Sequence, residues 1–436
     1  MSNLPPVLEL LNSVNFIDKD IKGILKSAKK LIPDITQQAE WTLSNHTYVD
    51  NQPNDLTKFN VSPVSGMNPF GDFGKCSGFD CRISMALNFS RTIGLYSEVI
   101  YLPDPFTTKF IDDGNKDLSW TDDQVLELIK EATVLQVLRP LIEAGIIQFT
   151  SPVRSYCAGC LEKLYDNVDN FTDEAIQEFW HGVSHHKSND HLVLDTNNLH
   201  VPSLMLSKFI DPALKNRKTM KTMARQMFGE IIWEEIHELL FTMNTTESMN
   251  STIFSNSRIG LKTLKKLEGN DRNVYNHLNW ENSRDTNLPW IKDLTPQQVV
   301  ELRNSADKAL PQFRELMLKS LTQENLSMSD NESKSSELLT EMRTQAEEVR
   351  AELSSIDINS EKNFHNMGGI LGMTISIYSA ATGNPALGLT TLMATLGLIH
   401  TNLKKDHSEV NKAISKPGYV LVKAKDILQH ANKSSK

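Results

Sequence analysis

All four cysteines fall in two tight pairs, Cys76/Cys81 in K-C-S-G-F-D-C and Cys157/Cys160 in Y-C-A-G-C-L. Paired thiolates on short turns supply two metal ligands per turn, and four at tetrahedral geometry hold zinc. The spacing therefore predicts one structural Zn2+ bound by Cys76, Cys81, Cys157 and Cys160. Such a site would staple two segments separated by residues 82–156, far more than a zinc ribbon uses. The bland alternative is four buried thiols, since cysteine is often a small core residue. A redox dithiol at C-A-G-C fits only locally, as a CxxC opening a helix after a strand.

The pattern around these pairs predicts a small α/β element within a mainly α protein. S-E-V-I-Y-L-P-D-P reads as a buried strand stopped by Pro103 and Pro105. Thr121–Ala144 reads as a helix, with Thr121 as cap, acids in its first turn and Gly145 at its end. I-I-Q-F-T-S-P then reads as a second strand, and strand–helix–strand implies a parallel crossover. Arg82–Leu95 is an expected helix, and residues 1–45 read as helix on Leu8, Leu11, Val14, Ile17, Ile21, Ile24 and Leu25. Residues 50–80, rich in Asn, Pro, Gly and Asp, form a long loop that a metal would tie down.

From Phe171 to Leu267 the expectation is nearly continuous helix with a polar break at Ser184–Asp190. After a polar linker at Gly269–Thr286, Thr295 and Pro296 mark a helix start as N-cap and first helical residue. Ser327–Ser336 reads as a hinge. Leu338, Met342, Ala346, Val349, Leu353 and Ile356 then recur as on one amphipathic helix packed against the body. No solenoid repeat is present. The expected organisation is 1–165, the α/β element with its zinc staple; 166–326, a helical domain; and 327–436, hinge, amphipathic helix, apolar hairpin and tail.

Gly368–His400 carries no charged residue, whereas E-K-N-F-H precedes it and L-K-K-D-H follows. Gly383-Asn384-Pro385 divides it into two arms, the signature of a helical hairpin. Each arm, roughly 15 residues, is shorter than the ~20 a hydrocarbon core requires. Its Gly, Ala, Ser and Thr content suits close helix packing, in a buried or self-associating hairpin or within a membrane. Residues 338–400 are therefore the expected self-association or protein-partner segment, and 368–400 the expected membrane contact.

Catalytic signatures are sparse. His181 and His185 stand four apart, a spacing that can bind metal on a helix, but an expected helix end at Ser184 favours a solvated or capping pair. His237-Glu238 lacks the second histidine of a zinc protease helix. Asp104 ends the first strand, where α/β enzymes place acids and where turns also place them. No Gly-rich phosphate loop, nucleophile elbow or dinucleotide fingerprint occurs. A net charge of -9 argues against nucleic acid as a general partner. The N-terminus shows no secretory pattern, which predicts a cytoplasmic protein, peripheral to or inserted in the inner membrane if the hairpin engages lipid.

These features together predict a non-enzymatic binding and assembly protein, of which a bacterial toxin-like or anti-phage effector is one concrete form by architecture alone. The alternative is a metal-dependent hydrolase or nuclease with its site near Asp104, the cysteine loop and His181/His185.

Overall fold

The computed structural model describes residues 4–16, 20–45, 48, 59–70, 78–110, 120–153, 156–196, 206–210, 216–249, 251–255, 257–268, 278–279, 291–321, 340–341, 344–353 and 412–434. The chain forms two compact units, Met1–Glu281 and Asn282–Lys436. Both are mainly helical, and the first contains a small parallel sheet.

In the first unit, α1 (Pro6–Ser13) and α2 (Ile21–Asn45) replace the single helix expected over residues 1–45. The break has a local cause. Val14 is extended, and Asp20 Oδ1 accepts the Gly23 N–H at 2.9 Å, opening a new helix. Next come β1 (Asn60–Pro63), α3 (Phe79–Arg91), α4 (Ile93–Tyr96), β2 (Val99–Pro103), α5 (Asp122–Glu143) and β3 (Ile147–Thr150). Thr121 and Gln124 close a reciprocal capping box at the start of α5, and Gly145 follows its end at φ 71°. β2 and β3 pair in parallel across α5, as the strand–helix–strand pattern requires.

The chain continues through α6 (Ala158–Phe179), β4 (Ser184–Ser188), β5 (His191–Asp195), β6 (Leu206–Phe209) and α7 (Arg217–Met249). The polar break expected at Ser184–Asp190 holds β4 and its turn, and the helical expectation fails after it at β5 and β6, which complete an antiparallel sheet with β4. Asn189 takes φ 51°, the left-handed turn conformation that a hairpin uses. Leu192, Val193 and Leu194 are the buried run that the hairpin delivers to the core. Leu192 and Leu194 pack there with Val168, Phe179, Phe228, Ile232 and Ile236, joining the sheet to α6 and α7.

The helical expectation also fails at β7 (Thr252–Ser255), which is followed by α8 (Arg258–Glu268) and β8 (Leu278–Asn279). Among the described residues, five strands form one sheet in the order β3-β2-β1-β7-β8, with every neighbouring pair parallel. The α/β element therefore extends well past residue 165. Its central strand is β1: the chain builds outward on one side through β2 and β3, then returns to the other side at β7. Between β3 and β7 the chain makes the module of α6, β4–β6 and the N-terminal half of α7.

The second unit contains α9 (Pro296–Ser305), α10 (Leu310–Leu321), a helical segment α11 (344–353) and α12 (Gly418–Ser434). Thr295 caps α9 as expected: its Oγ1 accepts from the Gln298 N–H at 3.3 Å, and Gln298 Oε1 accepts from the Thr295 N–H at 2.8 Å. Ala346 and Val349 of the amphipathic pattern are buried. A Cβ on Gly418 would lie 2.4 Å from the Gln345 carbonyl carbon, so the start of α12 reaches the α11 backbone only as glycine. Leu338, Met342, Ile356, the Ser327–Ser336 hinge and the apolar run Gly368–His400 lie outside the described residues. No helix among the described residues is long and apolar enough to cross a membrane.

Candidate functional site

A parallel sheet whose order reverses leaves a crevice at the carboxyl ends of the two strands where successive crossovers diverge. Here those strands are β1 and β7. Val64, just past β1, still donates its N–H to the Phe254 carbonyl at 2.9 Å. Beyond it the two chains separate, one into a 3-10 turn at Ser65–Met67 and the other into α8.

Each exit is held by polar side chains. Asn68 Oδ1 accepts the Phe70 N–H at 3.0 Å, and its Nδ2 donates to Glu238 Oε1 of α7 at 3.1 Å. On the other side, Ser255 Oγ accepts the Ser257 N–H at 3.1 Å, and Ser257 Oγ accepts the Gly260 N–H at 3.2 Å, capping α8. Glu235 of α7 is fully buried, and a Cβ on Gly260 would stand 3.0 Å from its Oε1. Gly260 thus lets the first turn of α8 close onto a buried carboxylate, where the positive end of the helix dipole favours one. Val64, Leu239, Ile253 and Leu264 form the apolar floor beneath these groups.

This edge of the sheet therefore gathers two carboxylates, two serine hydroxyls and an amide, with Asn68, Glu238, Ser255 and Ser257 bonded within the protein. Sequence reasoning missed it because its residues are scattered over residues 64–70, 235–238 and 255–260, with no short motif. The signal available was the apolar run T-I-F ended by S-N-S, a buried strand followed by turn residues and a helix.

Asp104 stands where the sequence placed it, at the carboxyl end of β2, and is buried. Its Oδ1 accepts the Phe106 N–H at 2.8 Å and the Thr107 N–H at 3.1 Å. Its Oδ2 accepts the Tyr48 hydroxyl at 2.7 Å and the Thr107 hydroxyl. Four donors fill the lone-pair sites of the carboxylate, which is the arrangement of a turn clamp.

His181 and His185 do not share a helical face. α6 ends at Phe179, His181 lies in a 3-10 turn, and His185 sits on β4 with its ring 6.1 Å from Trp180. His237 belongs to an aromatic ladder on α7: its ring centroid is 4.8 Å from Trp233 and 4.2 Å from Phe241, with Tyr165 of α6 alongside. Burial pushes the His237 imidazole below its ordinary value.

Cys157 is the N-cap of α6, and its Sγ accepts the Cys160 N–H at 3.3 Å. A side-chain hydrogen bond between the two cysteines holds the Cys157 thiol below its ordinary value and pushes the Cys160 thiol up. Cys81 lies in the first turn of α3, exposed like Cys157 and Cys160. Cys76 lies outside the described residues. Among the described residues, no group of three or more His, Cys, Asp or Glu side chains gathers as a metal site. Comparison with protein families, with curated proteins and with solved structures finds no match.

Proposed function

We propose that this is a ligand-binding assembly protein whose first unit takes a nucleoside-type small molecule at the crevice between β1 and β7. The observation that carries this reading is the all-parallel strand order β3-β2-β1-β7-β8, with its reversal at β1/β7. Sheets of this order bind ligands at that reversal, so the inference from order to place is general, and the inference to ligand class rests on analogy of architecture. The polar character of this edge, with Glu235, Glu238, Ser255, Ser257 and Asn68 beside one another's elements, is the kind of surrounding that the hydroxyls and N–H groups of a nucleoside meet.

Two further proposals concern the rest of the chain. The preformed Cys157–Cys160 turn, with its backbone N–H directed to sulfur, supports a structural zinc held with Cys76 and Cys81. The uncharged run Gly368–His400 supports self-association or membrane contact by the C-terminal part. The hydrolase reading draws no support from Asp104, whose oxygens are committed to its own turn.

Thermal unfolding of the full chain with millimolar nucleosides and nucleotides tests the ligand reading. Binding at about 100 times Kd stabilises a protein by about 2.7 kcal/mol, a shift of several degrees. A rise in Tm with at least one adenine or guanine compound is expected. No shift with any of them contradicts the reading.

A further inference from the structure

We propose that Cys157 and Cys160 form a thiol–disulfide exchange site, with Cys157 as attacking thiol, Cys160 as resolving thiol and the disulfide of a peptide as co-reactant.

The order strand, turn, helix builds the pair. β3 ends at Thr150 on the edge of its sheet, and α6 begins at Ala158. Cys157 is the N-cap of α6 and Cys160 lies in its first turn. The Cys160 N–H is shared between the Cys157 carbonyl, at 3.0 Å, and Cys157 Sγ, at 3.3 Å. The two side chains are also hydrogen-bonded to each other. A single closed turn holds its first and fourth Cα less than about 7 Å apart, the separation that a disulfide bridges. Side-chain rotation alone then joins the sulfurs.

The pair is also open to a co-reactant. Both cysteines are exposed. A Cβ built on Gly159, between them, would meet nothing within 4 Å. No acid stands in the first turn of α6, so nothing there opposes the positive end of the helix dipole, which favours an anionic sulfur. Aromatic rings flank the turn on both sides in sequence. Tyr156 packs on Phe241 at 5.5 Å, and Tyr165, 39% exposed, reaches the same Phe241 at 6.2 Å and stacks on His237 at 5.8 Å. Such rings give apolar contact to the side chains beside a peptide's disulfide.

The exchange balances. Cys157 Sγ, as thiolate, attacks one sulfur of the peptide disulfide, and the other sulfur leaves as thiolate and takes up a proton. Cys160 then loses its proton, and its sulfur attacks Cys157 Sγ, which expels the remaining peptide sulfur. Two electrons pass from the pair to the peptide disulfide. The assignment of Cys157 follows from its place: it precedes the helix and its sulfur accepts an N–H, whereas Cys160 sits within the turn. The inference does not rest on the zinc proposal. Thiols that hold zinc are the reduced form, and closing the disulfide releases the metal.

The test is to incubate the full reduced chain with glutathione disulfide, or with a disulfide-linked peptide carrying phenylalanine beside each cysteine. Acid quenching, alkylation and mass mapping follow. The fragment holding Cys157 and Cys160 should lose both alkylatable thiols to an internal disulfide and regain them on reduction. Cys160→Ser should stop at the first step, with a mixed disulfide held on Cys157. Cys157→Ser should form no internal disulfide at this turn and react several-fold more slowly. Should Cys157→Ser fail to fold, the Cys160→Ser trap and the wild-type map decide. The phenylalanine peptide should react faster than glutathione disulfide, and equal rates overturn the peptide assignment. Thiols still alkylatable after both reagents, a bond from Cys157 to Cys76 or Cys81, or no adduct on Cys157 in Cys160→Ser overturn the exchange site.

Discussion

Asp104 shows why a residue type at a promising position does not define a site. The sequence put an acid at a strand end, and the same proline-flanked context also suits a turn. Only the four donors around its oxygens decide between them. Asp104→Ala should therefore destabilise the first unit by about 2–4 kcal/mol, because the Phe106 and Thr107 N–H groups and the Tyr48 hydroxyl lose their acceptor in a buried place. Urea unfolding measures this, and a loss below 1 kcal/mol would remove the clamp from the account. Asp426 on α12 offers a prediction in pH. Burial raises its carboxyl to about 6, against the opposing pull of Lys423, Arg350 and Lys425. A raised acid holds its proton more tightly in the folded state. Its stabilising contribution is thus full below about pH 4 and lost as pH rises through about 6. Asp426→Asn should remove this dependence, which amounts to on the order of 2–3 kcal/mol between those limits. Equal pH profiles for wild type and variant in stability measurements would contradict it.

At the level of elements, the signals that could be read were those with a local mechanism. Thr121 with Gln124 and Thr295 with Gln298 close capping boxes in the structure, because a hydroxyl three residues before an amide needs nothing remote to form one. Thr121→Ala and Thr295→Ala should each cost about 1 kcal/mol, read from unfolding midpoints of the respective units. The strands β5 and β6 were not legible for the opposite reason. H-L-V-L-D is a short apolar run whose periodicity suits either element, and only the turn at Asn189 and the partner strands select the sheet. Helix 1–45 splits because Asp20 caps locally, a signal that the longer apolar period concealed. Gly418 marks a contact no sequence pattern announces. Gly418→Ala should destabilise the second unit by more than the few tenths of a kcal/mol of an ordinary helix-start change, since the clash is with backbone. An unchanged midpoint would mean that α11 and α12 can part without cost.

For the whole molecule, the parallel crossover of β2, α5 and β3 was legible, but its place in a larger sheet was not. β1 sits inside a loop-rich stretch and β7 inside a stretch that reads as helix, and pairing between them joins residues 61–63 to 252–254. Long-range register leaves no local trace, so the reversal at β1/β7, and with it the crevice, emerges only in three dimensions. The zinc proposal has its own check: the purified chain should carry about one zinc per molecule, and Cys157→Ser should release it and lower Tm. Metal content unchanged by that substitution would exclude the staple. The central claim is that the crevice between β1 and β7 is where this protein meets a small ligand. Hydrogen–deuterium exchange of the full chain with and without a saturating nucleotide tests it most directly. Slowed exchange in peptides covering 64–70 and 257–262 is the predicted result. Exchange unchanged there, or slowed only elsewhere in the chain, would contradict it.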